Sequence, residues 1–234
     1  MAAGNSHSDV PPPGERLPAS AALSARELRQ QLRSAVSSVL ALTVLTGGVF
    51  PLILSAIAVP LFPYQTSGSL AFLRGAVIGS RLIGQSFTGP QWFQPRPSAA
   101  GAGYDATASG GTNLAPDNRK LKEGEAGFAG IRALAAQYRE RNRLARDAAV
   151  PIDAVTRSGS GLDPDISPAN AFLQAARVAN ARGLDERAVR RLVAAYVVPP
   201  QLGFLGEPRV PVLELNLAVD RLQQQTAPRS PLPR

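Results

Sequence analysis

The chain has 234 residues, with 25 lysines and arginines against 17 aspartates and glutamates and a formal net charge of +8. It contains no cysteine and one histidine, which excludes disulfides, thiolate catalysis and zinc sites built on cysteine. Its basic residues are spread along the chain and aromatic residues make up only 6%, so we do not expect nucleic acid as a partner.

The first region, residues 1–33, is predicted to be a cytoplasmic tail followed by a short segment before the membrane. Residues 1–23 are rich in proline and small polar residues, which is typical of disorder, and they include His7. Ser24 and Glu27 have the spacing of a capping box, so a helix is predicted to begin at Ser24.

Residues 34–60 form the predicted transmembrane helix. No charged residue occurs from Ser34 to Leu73, and roughly 20 apolar residues at about 1.5 Å each cross a hydrocarbon core of ~30 Å. The main alternative is a cleaved signal peptide, over which an uncleaved span is favoured because the apolar stretch is long and begins only after some thirty polar residues. Several arginines precede the span and only Arg74 follows closely, which predicts a cytoplasmic N-terminus. The preceding arginines are Arg16, Arg26, Arg29 and Arg33.

Gly47, Gly48 and Pro51 interrupt this span. Glycine permits close contact between helices, whereas proline removes a backbone donor and kinks a helix. Two interpretations stay open, a docking face for a partner helix and a kinked helix with ordinary small residues.

Residues 61–234 are predicted to form a single extracytoplasmic soluble domain of mixed helices and strands, in the α+β class. Two strands should flank a turn near Arg74 and Gly75, and residues 88–116 are rich in loop formers. Apolar periodicity predicts an amphipathic helix between about Gly127 and Arg146. A short strand is predicted from Val150 to Thr156.

Two further helices have clear boundary signals. Ser167 with Pro168 after it predicts a helix start, and Gly183 predicts its end. Asp185 should cap another helix that runs to Tyr196. The stretch from Leu213 to Leu222 fits either a strand or a helix.

The sequence shows no catalytic constellation and no metal cluster. A Ser-His-Asp site in the outer domain is excluded because His7 lies before the span, while a Ser-Lys pair using Lys120 or Lys122 leaves a membrane-anchored extracytoplasmic hydrolase open as an alternative. A ligand-binding domain is a further alternative. Asp163 and Asp165 flank a proline, and a turn that satisfies local backbone donors is favoured over a cation site.

A series of segments carries a specific resemblance to a known family. They are LTGGVFPLI (45–53), GSRLIGQSFTG (79–89), WFQPRPSA (92–99), SGGTNLAP (109–116), SGSGLDPDISPANA (158–171), ARVANARGL (176–184) and VLELNLAVDRL (212–222). In this order they resemble the C subunit of the Kdp potassium-transporting P-type ATPase. The chain departs from that pattern in its proline-rich tail and at residues 71–78, which are apolar where a more polar turn is expected.

The resemblance implies a non-catalytic accessory subunit of a high-affinity, ATP-driven potassium uptake complex in the bacterial cytoplasmic membrane. Its implied partners are a channel-like potassium-binding subunit, an ATP-hydrolysing P-type subunit and membrane lipid. The family is credited with supporting ATP binding by the pump subunit as a catalytic chaperone. No stably bound cofactor is expected, and a direct contact with ATP stays open because an extracytoplasmic domain cannot reach cytosolic ATP.

Three segments are the candidate partner contacts. Paired glycines and small hydroxyls would let a partner's backbone approach closely, whereas the alternative is that the loop glycines only supply turns with positive φ. The candidates are Gly47, Gly48, Pro51, Ser109, Gly110, Gly111, Thr112, Asn113, Leu114, Ser158, Gly159, Ser160, Gly161, Leu162 and Asp163.

Overall fold

The structure is a computed structural model that describes residues 24–73 and 75–226. The predicted tail with His7 and Arg16, and the turn residue Arg74, lie outside the described residues. The chain divides into two compact units between Pro63 and Tyr64.

The first unit is one long apolar helix made of three parts. Helix α1 covers Ala25–Val44, a π-helical turn covers Leu45–Val49 and α2 covers Phe50–Leu61. By length and composition, it is the one helix among the described residues that could cross a membrane. The predicted capping box is confirmed, because the Glu27 N–H donates to Ser24 Oγ at 3.3 Å and the Ser24 N–H donates to the Glu27 carboxylate at 2.9 Å.

The residues predicted to interrupt this helix lie in and just after the π-helical turn. The Phe50 N–H donates to the Leu45 carbonyl, five residues back. Pro51 stands in the first turn of α2 and has no N–H to donate. A π turn is a recognised cause of helix bending and is frequent at functional sites.

The second unit mixes helices with three two-stranded antiparallel sheets, as the predicted α+β class requires. A short helix α3, Pro63–Thr66, leads to it. The two strands predicted on either side of residue 74 are confirmed as a hairpin. The strands are β1 (Leu70–Leu73), β2 (Ala76–Ser80), β3 (Gly124–Glu125), β4 (Phe128–Ala129), β5 (Asp165–Ile166) and β6 (Val210–Pro211).

Three helices build the main core of this unit, α6 (Pro168–Arg182), α7 (Glu186–Ala195) and α8 (Val212–Thr226). Both predicted starts are confirmed, since Ser167 accepts from the Asn170 N–H and Asp185 accepts from the N–H groups of the first turn of α7. The stretch that fitted either a strand or a helix is helix α8. The core side chains are Phe93, Ile166, Ala171, Ala175, Val178, Ala179, Val189, Val193, Val210, Val212, Leu215 and Val219.

A smaller cluster forms around α5, Ile131–Arg141, which follows the short helix α4, Arg119–Glu123. Helix α5 is shorter than the predicted helix at both ends, since its N-terminal flank pairs as β3 and β4 and the helix ends at Arg141.

The strand predicted for residues 150–156 is wrong, since a 3₁₀ turn covers Ile152–Ala154. Pro151 cannot donate to a sheet ladder. The turn instead aims the Asp153 carboxylate at the start of α6, where it accepts from the Ser167 N–H at 2.8 Å.

Candidate functional site

Two of the predicted contact loops meet each other. The Gly110 N–H donates to the Ser160 carbonyl at 2.9 Å, and Ser109 Oγ donates to the same oxygen at 3.0 Å. Ser98 Oγ adds a third connection by donating to the Gly161 carbonyl at 2.6 Å. We call residues 96–100, 109–114 and 158–163 together the loop junction.

The glycines of the loop junction divide into two kinds. A methyl group on Gly111 would stand 2.7 Å from the Gly159 carbonyl oxygen, and one on Gly161 would stand 2.6 Å from the Gly110 carbonyl oxygen. By contrast, Gly110 has nothing closer than 3.5 Å and Gly159 has nothing within 4 Å. Of these four, Gly161 alone has a positive φ, at 69°. Close approach between the chain's own loops therefore explains Gly111 and Gly161, and it leaves Gly110 and Gly159 unexplained.

The remaining candidates of the loop junction differ in exposure. Asn113 is exposed with φ 51°, while Thr112 and Leu114 are half-buried. Ser158 is buried, and Ser160 is exposed with its Oγ accepting from the Leu162 N–H at 3.0 Å. Gly47, Gly48 and Pro51 belong to the first unit, and Gly47 and Gly48 have nothing within 4 Å of the position where a side chain would begin.

Arginines hold both carboxylates of the predicted aspartate turn. Arg96 Nη1 lies 2.8 Å from Asp163 Oδ2, and Arg209 Nε lies 2.7 Å from Asp165 Oδ2. Asp163 Oδ1 also accepts from the Asp165 N–H at 3.0 Å. Burial raises the pKa of Asp165, although Arg209 opposes that shift. This pairing supports the turn interpretation over a cation site.

A buried polar network that sequence reasoning missed fixes the long loop before the junction. Arg177 is 8% exposed, and its guanidinium donates to the carbonyls of Pro90 and Trp92 at 2.6 and 3.0 Å. It also donates to the side chains of Asn142 and Gln174 at 2.9 and 2.7 Å.

A sequence signal for this network was present. Asn170, Gln174 and Arg177 recur at i, i+4 and i+7, which is a polar stripe on one face of a helix that is otherwise apolar from Pro168 to Ala179. Asn216 of α8 also holds the long loop, because its side-chain amide exchanges two hydrogen bonds with the backbone of Phe93.

A cavity of about 590 Å³ adjoins this network, with Tyr104, Tyr138, Arg141 and Arg177 among its lining. Burial lowers the pKa of Arg177 to about 10, helped by nearby Arg141, so the side chain is charged at neutral pH. Its hydrogen bonds are directed at protein acceptors. Arg177 therefore holds the loop in place and is not directed at a ligand.

The lysines of the alternative Ser-Lys hydrolase lie on α4. The ammonium of Lys120 pairs with Glu125 and lies 5.4 Å from the centre of the Phe128 ring. Lys122 is exposed on the same helix. An ion pair and a cation–π contact at the surface do not activate a nucleophile, so this arrangement does not support a Ser-Lys site.

Known proteins match most of the chain. The family model for KdpC, described as K+-transporting ATPase, c chain, matches residues 32–221. The potassium-transporting ATPase KdpC subunit of Mycobacterium tuberculosis is 50% identical over 195 residues, which cover 83% of this chain and 100% of that protein. The subunit of Koribacter versatilis is 46% identical over 202 residues, with 86% and 100% covered. That of Cereibacter sphaeroides is 50% identical over 189 residues, with 81% and 96% covered.

Proposed function

This chain belongs to the KdpC family, the c chain of the K+-transporting ATPase, and from that premise we propose how it serves the complex. It is an accessory subunit of the Kdp potassium-transporting ATPase and not the catalytic subunit. We infer that it supports the assembly of the complex and, indirectly, ATP binding by the pump subunit. An independent anchored hydrolase or ligand-binding domain is not favoured.

The observation that carries this proposal is the long apolar helix of the first unit, none of whose residues is buried within the chain. Helices associate in a membrane mainly where small residues let backbones approach. Gly47 and Gly48 provide such a place, since the space at both is open. The segment from Gly47 to Pro51 is therefore our proposed docking face for a membrane helix of a partner subunit.

The charges beside this helix support an orientation in the bacterial cytoplasmic membrane. Arg26, Arg29 and Arg33 precede the uncharged stretch, while Arg74 alone follows it closely. Positive charge near a span favours the cytoplasmic side. We propose that the N-terminus is cytoplasmic and that the second unit is extracytoplasmic.

This orientation limits how the subunit can influence ATP. An extracytoplasmic unit does not reach cytosolic nucleotide, so the influence on the pump subunit's ATP binding is proposed to pass through the membrane helix. No stably bound cofactor is needed for that role. The second unit is then free to meet the channel-like potassium-binding subunit on the outside.

Within the second unit, the loop junction is the proposed contact with that channel-like subunit. Gly159 and Ser160 are exposed, and the space at Gly159 is empty, so a partner's backbone can approach there. Arg96 pairs with Asp163, and Ser98 donates to the Gly161 carbonyl, which restrains the end of this loop. A rigid, small-residue surface loses little conformational entropy when a partner binds.

The test is an affinity pull-down of the tagged full chain in mild detergent from potassium-limited cells, with an ATPase assay on the eluate. The wild type should recover a P-type ATPase and a channel-like subunit, and Gly47→Leu should recover much less of both. Ala56→Leu, which introduces the same leucine side chain elsewhere on the helix, is the matched control and should behave as the wild type. Equal recovery with Gly47→Leu would exclude this docking face.

A further inference from the structure

The hairpin of β1 and β2 is apolar and exposed on both faces. Phe72, Leu73 and Val77 are 60%, 39% and 54% exposed. Phe72 pairs with Val77 and Leu73 pairs with Ala76. Directly paired residues project to the same face of a sheet and neighbouring residues to opposite faces. The tip therefore presents apolar side chains in both directions, and packing one face on the rest of the unit could not cover it.

The base of the hairpin, in contrast, is fixed to the rest of the unit. Ser69 and Ala71 are buried, and Arg81 Nε, just after β2, lies 3.1 Å from Glu214 Oε1 of α8. Ser80 Oγ donates to the Gly68 carbonyl at 2.7 Å. A short two-stranded hairpin is only marginally stable by itself, and a contiguous exposed apolar surface usually marks a contact site. A hairpin with a fixed base and an exposed apolar tip is therefore suited to contact an apolar surface outside the unit.

The chemistry around the tip favours lipid as that medium. No acidic residue occurs in the sequence between Glu27 and Asp105, and Arg74 is the one charged residue in the sequence from Ser34 to Ser80. Apolar and aromatic side chains beside arginine suit the interface of a bilayer with anionic headgroups. An acidic protein surface would leave the apolar side chains without a partner.

The length of chain between the apolar helix and the hairpin is compatible with a membrane contact at the tip. Leu70 is the ninth residue after Leu61, the last residue of the apolar helix. Nine residues extend at most about 32 Å.

We propose that the apolar side chains at the tip of this hairpin, Phe72, Leu73, Ala76 and Val77, insert into the interfacial layer of an anionic bilayer and attach the second unit to the membrane surface. This inference rests on the proposed membrane attachment of the apolar helix. The expected depth is about 5–10 Å into the boundary between headgroups and acyl chains.

The experiment uses the absence of cysteine, which lets a single introduced cysteine carry a fluorophore. The full chain is reconstituted in nanodiscs of phosphatidylcholine and phosphatidylglycerol, with NBD at Phe72→Cys or Val77→Cys and nitroxide-bearing lipids as quencher. Phe204→Cys is the matched control, because Phe204 is an exposed aromatic residue in the same unit. Ser55→Cys in the apolar helix reports membrane attachment independently.

Labels at positions 72 and 77 should be quenched by the lipids several-fold more than the label at 204, and less in pure phosphatidylcholine. Quenching at 55 without quenching at 72 and 77 would overturn this inference and leave the proposed attachment intact. Absence of quenching at 55 would overturn the attachment itself. In the assembled complex, a label at 72 that is shielded from aqueous iodide without lipid quenching would show that a protein partner covers the tip, which also overturns the proposal.

Discussion

Gly111 and Gly159 approach so closely that a methyl group on Gly111 would stand 2.7 Å from the Gly159 carbonyl oxygen. The obstacle is backbone, which cannot rotate away as a flexible side chain could. Gly111→Ala should therefore lower the free energy of unfolding by about 1–3 kcal/mol, the usual cost of overpacking. Trp92, the single tryptophan, reports unfolding of the second unit by fluorescence. Gly110→Ala is the control and should be nearly neutral, because its nearest neighbour lies at 3.5 Å. Equal losses in both variants would contradict this packing.

A substitution at Gly159 can test the proposed contact between the loop junction and the channel-like subunit without disturbing the fold. Nothing lies within 4 Å of its missing side chain and its φ is not positive. Gly159→Gln should change the free energy of unfolding by less than about 0.5 kcal/mol, as surface substitutions usually do. It should nevertheless reduce the amount of channel-like subunit that copurifies in a pull-down. Ala136→Gln, on the exposed side of α5, should leave copurification unchanged. Full copurification with a stable Gly159→Gln protein would remove the loop junction from the interface.

Replacing Arg177 with lysine should destabilise the second unit. The Arg177 guanidinium donates hydrogen bonds to four separate acceptors, and the ammonium group of lysine cannot reproduce this planar arrangement of donors. Arg177→Lys would leave buried acceptors without donors, so it should lower the free energy of unfolding by about 1–3 kcal/mol. Denaturant titration measures this change. Arg187→Lys, at an exposed position of α7, should be within about 0.5 kcal/mol of the wild type. If both variants were equally stable, Arg177 would not hold the long loop.

Stability should fall at alkaline pH because buried phenols resist ionisation. Burial raises the pKa of Tyr104 from 10.0 to about 12, and it raises the pKa of Tyr138 as well. The folded state thus holds these protons more tightly than the unfolded state. Their contribution to stability is fully present below pH 10 and is lost as the pH rises through about 12.

The corresponding variant is Tyr104→Phe, which removes an ionisable group whose hydroxyl donates to the Arg96 carbonyl at 2.5 Å. It should lose about 1 kcal/mol at neutral pH through the missing hydrogen bond. Its free energy of unfolding should then decline less steeply between pH 10 and 12 than that of the wild type. A decline as steep as in the wild type would show that Tyr104 ionises freely in the folded protein.

The proposed orientation can be tested by labelling intact cells. With no native cysteine, a cysteine at exposed Ala136 should react with a membrane-impermeant maleimide added from outside. A cysteine at Ala25, the first residue of α1, should react only after the cytoplasmic membrane is permeabilised. The opposite pattern would place the second unit in the cytoplasm and reopen direct contact with ATP.

The sequence by itself determined the features that depend on neighbouring residues. The capping box of Ser24 and Glu27 and the caps at Ser167 and Asp185 involve hydrogen bonds across two or three residues, so their side chains specify helix starts wherever they occur. The length of the apolar stretch likewise identified the candidate membrane helix, and the ordered motifs identified the family. The prediction for residues 150–156 failed because apolar character was given more weight than Pro151.

Only the tertiary structure decided what the loop glycines and the buried arginine do. Gly111 and Gly159 are 48 positions apart in the sequence, and Arg177 bonds to carbonyls more than eighty positions away. The sequence grouped Gly110, Gly111, Gly159 and Gly161 as equivalent, because each is a glycine beside a small hydroxyl. Whether a glycine is packed or open depends on which backbone segment lies opposite it. The tertiary structure determines that segment, because the core brings loops together that are distant in the sequence.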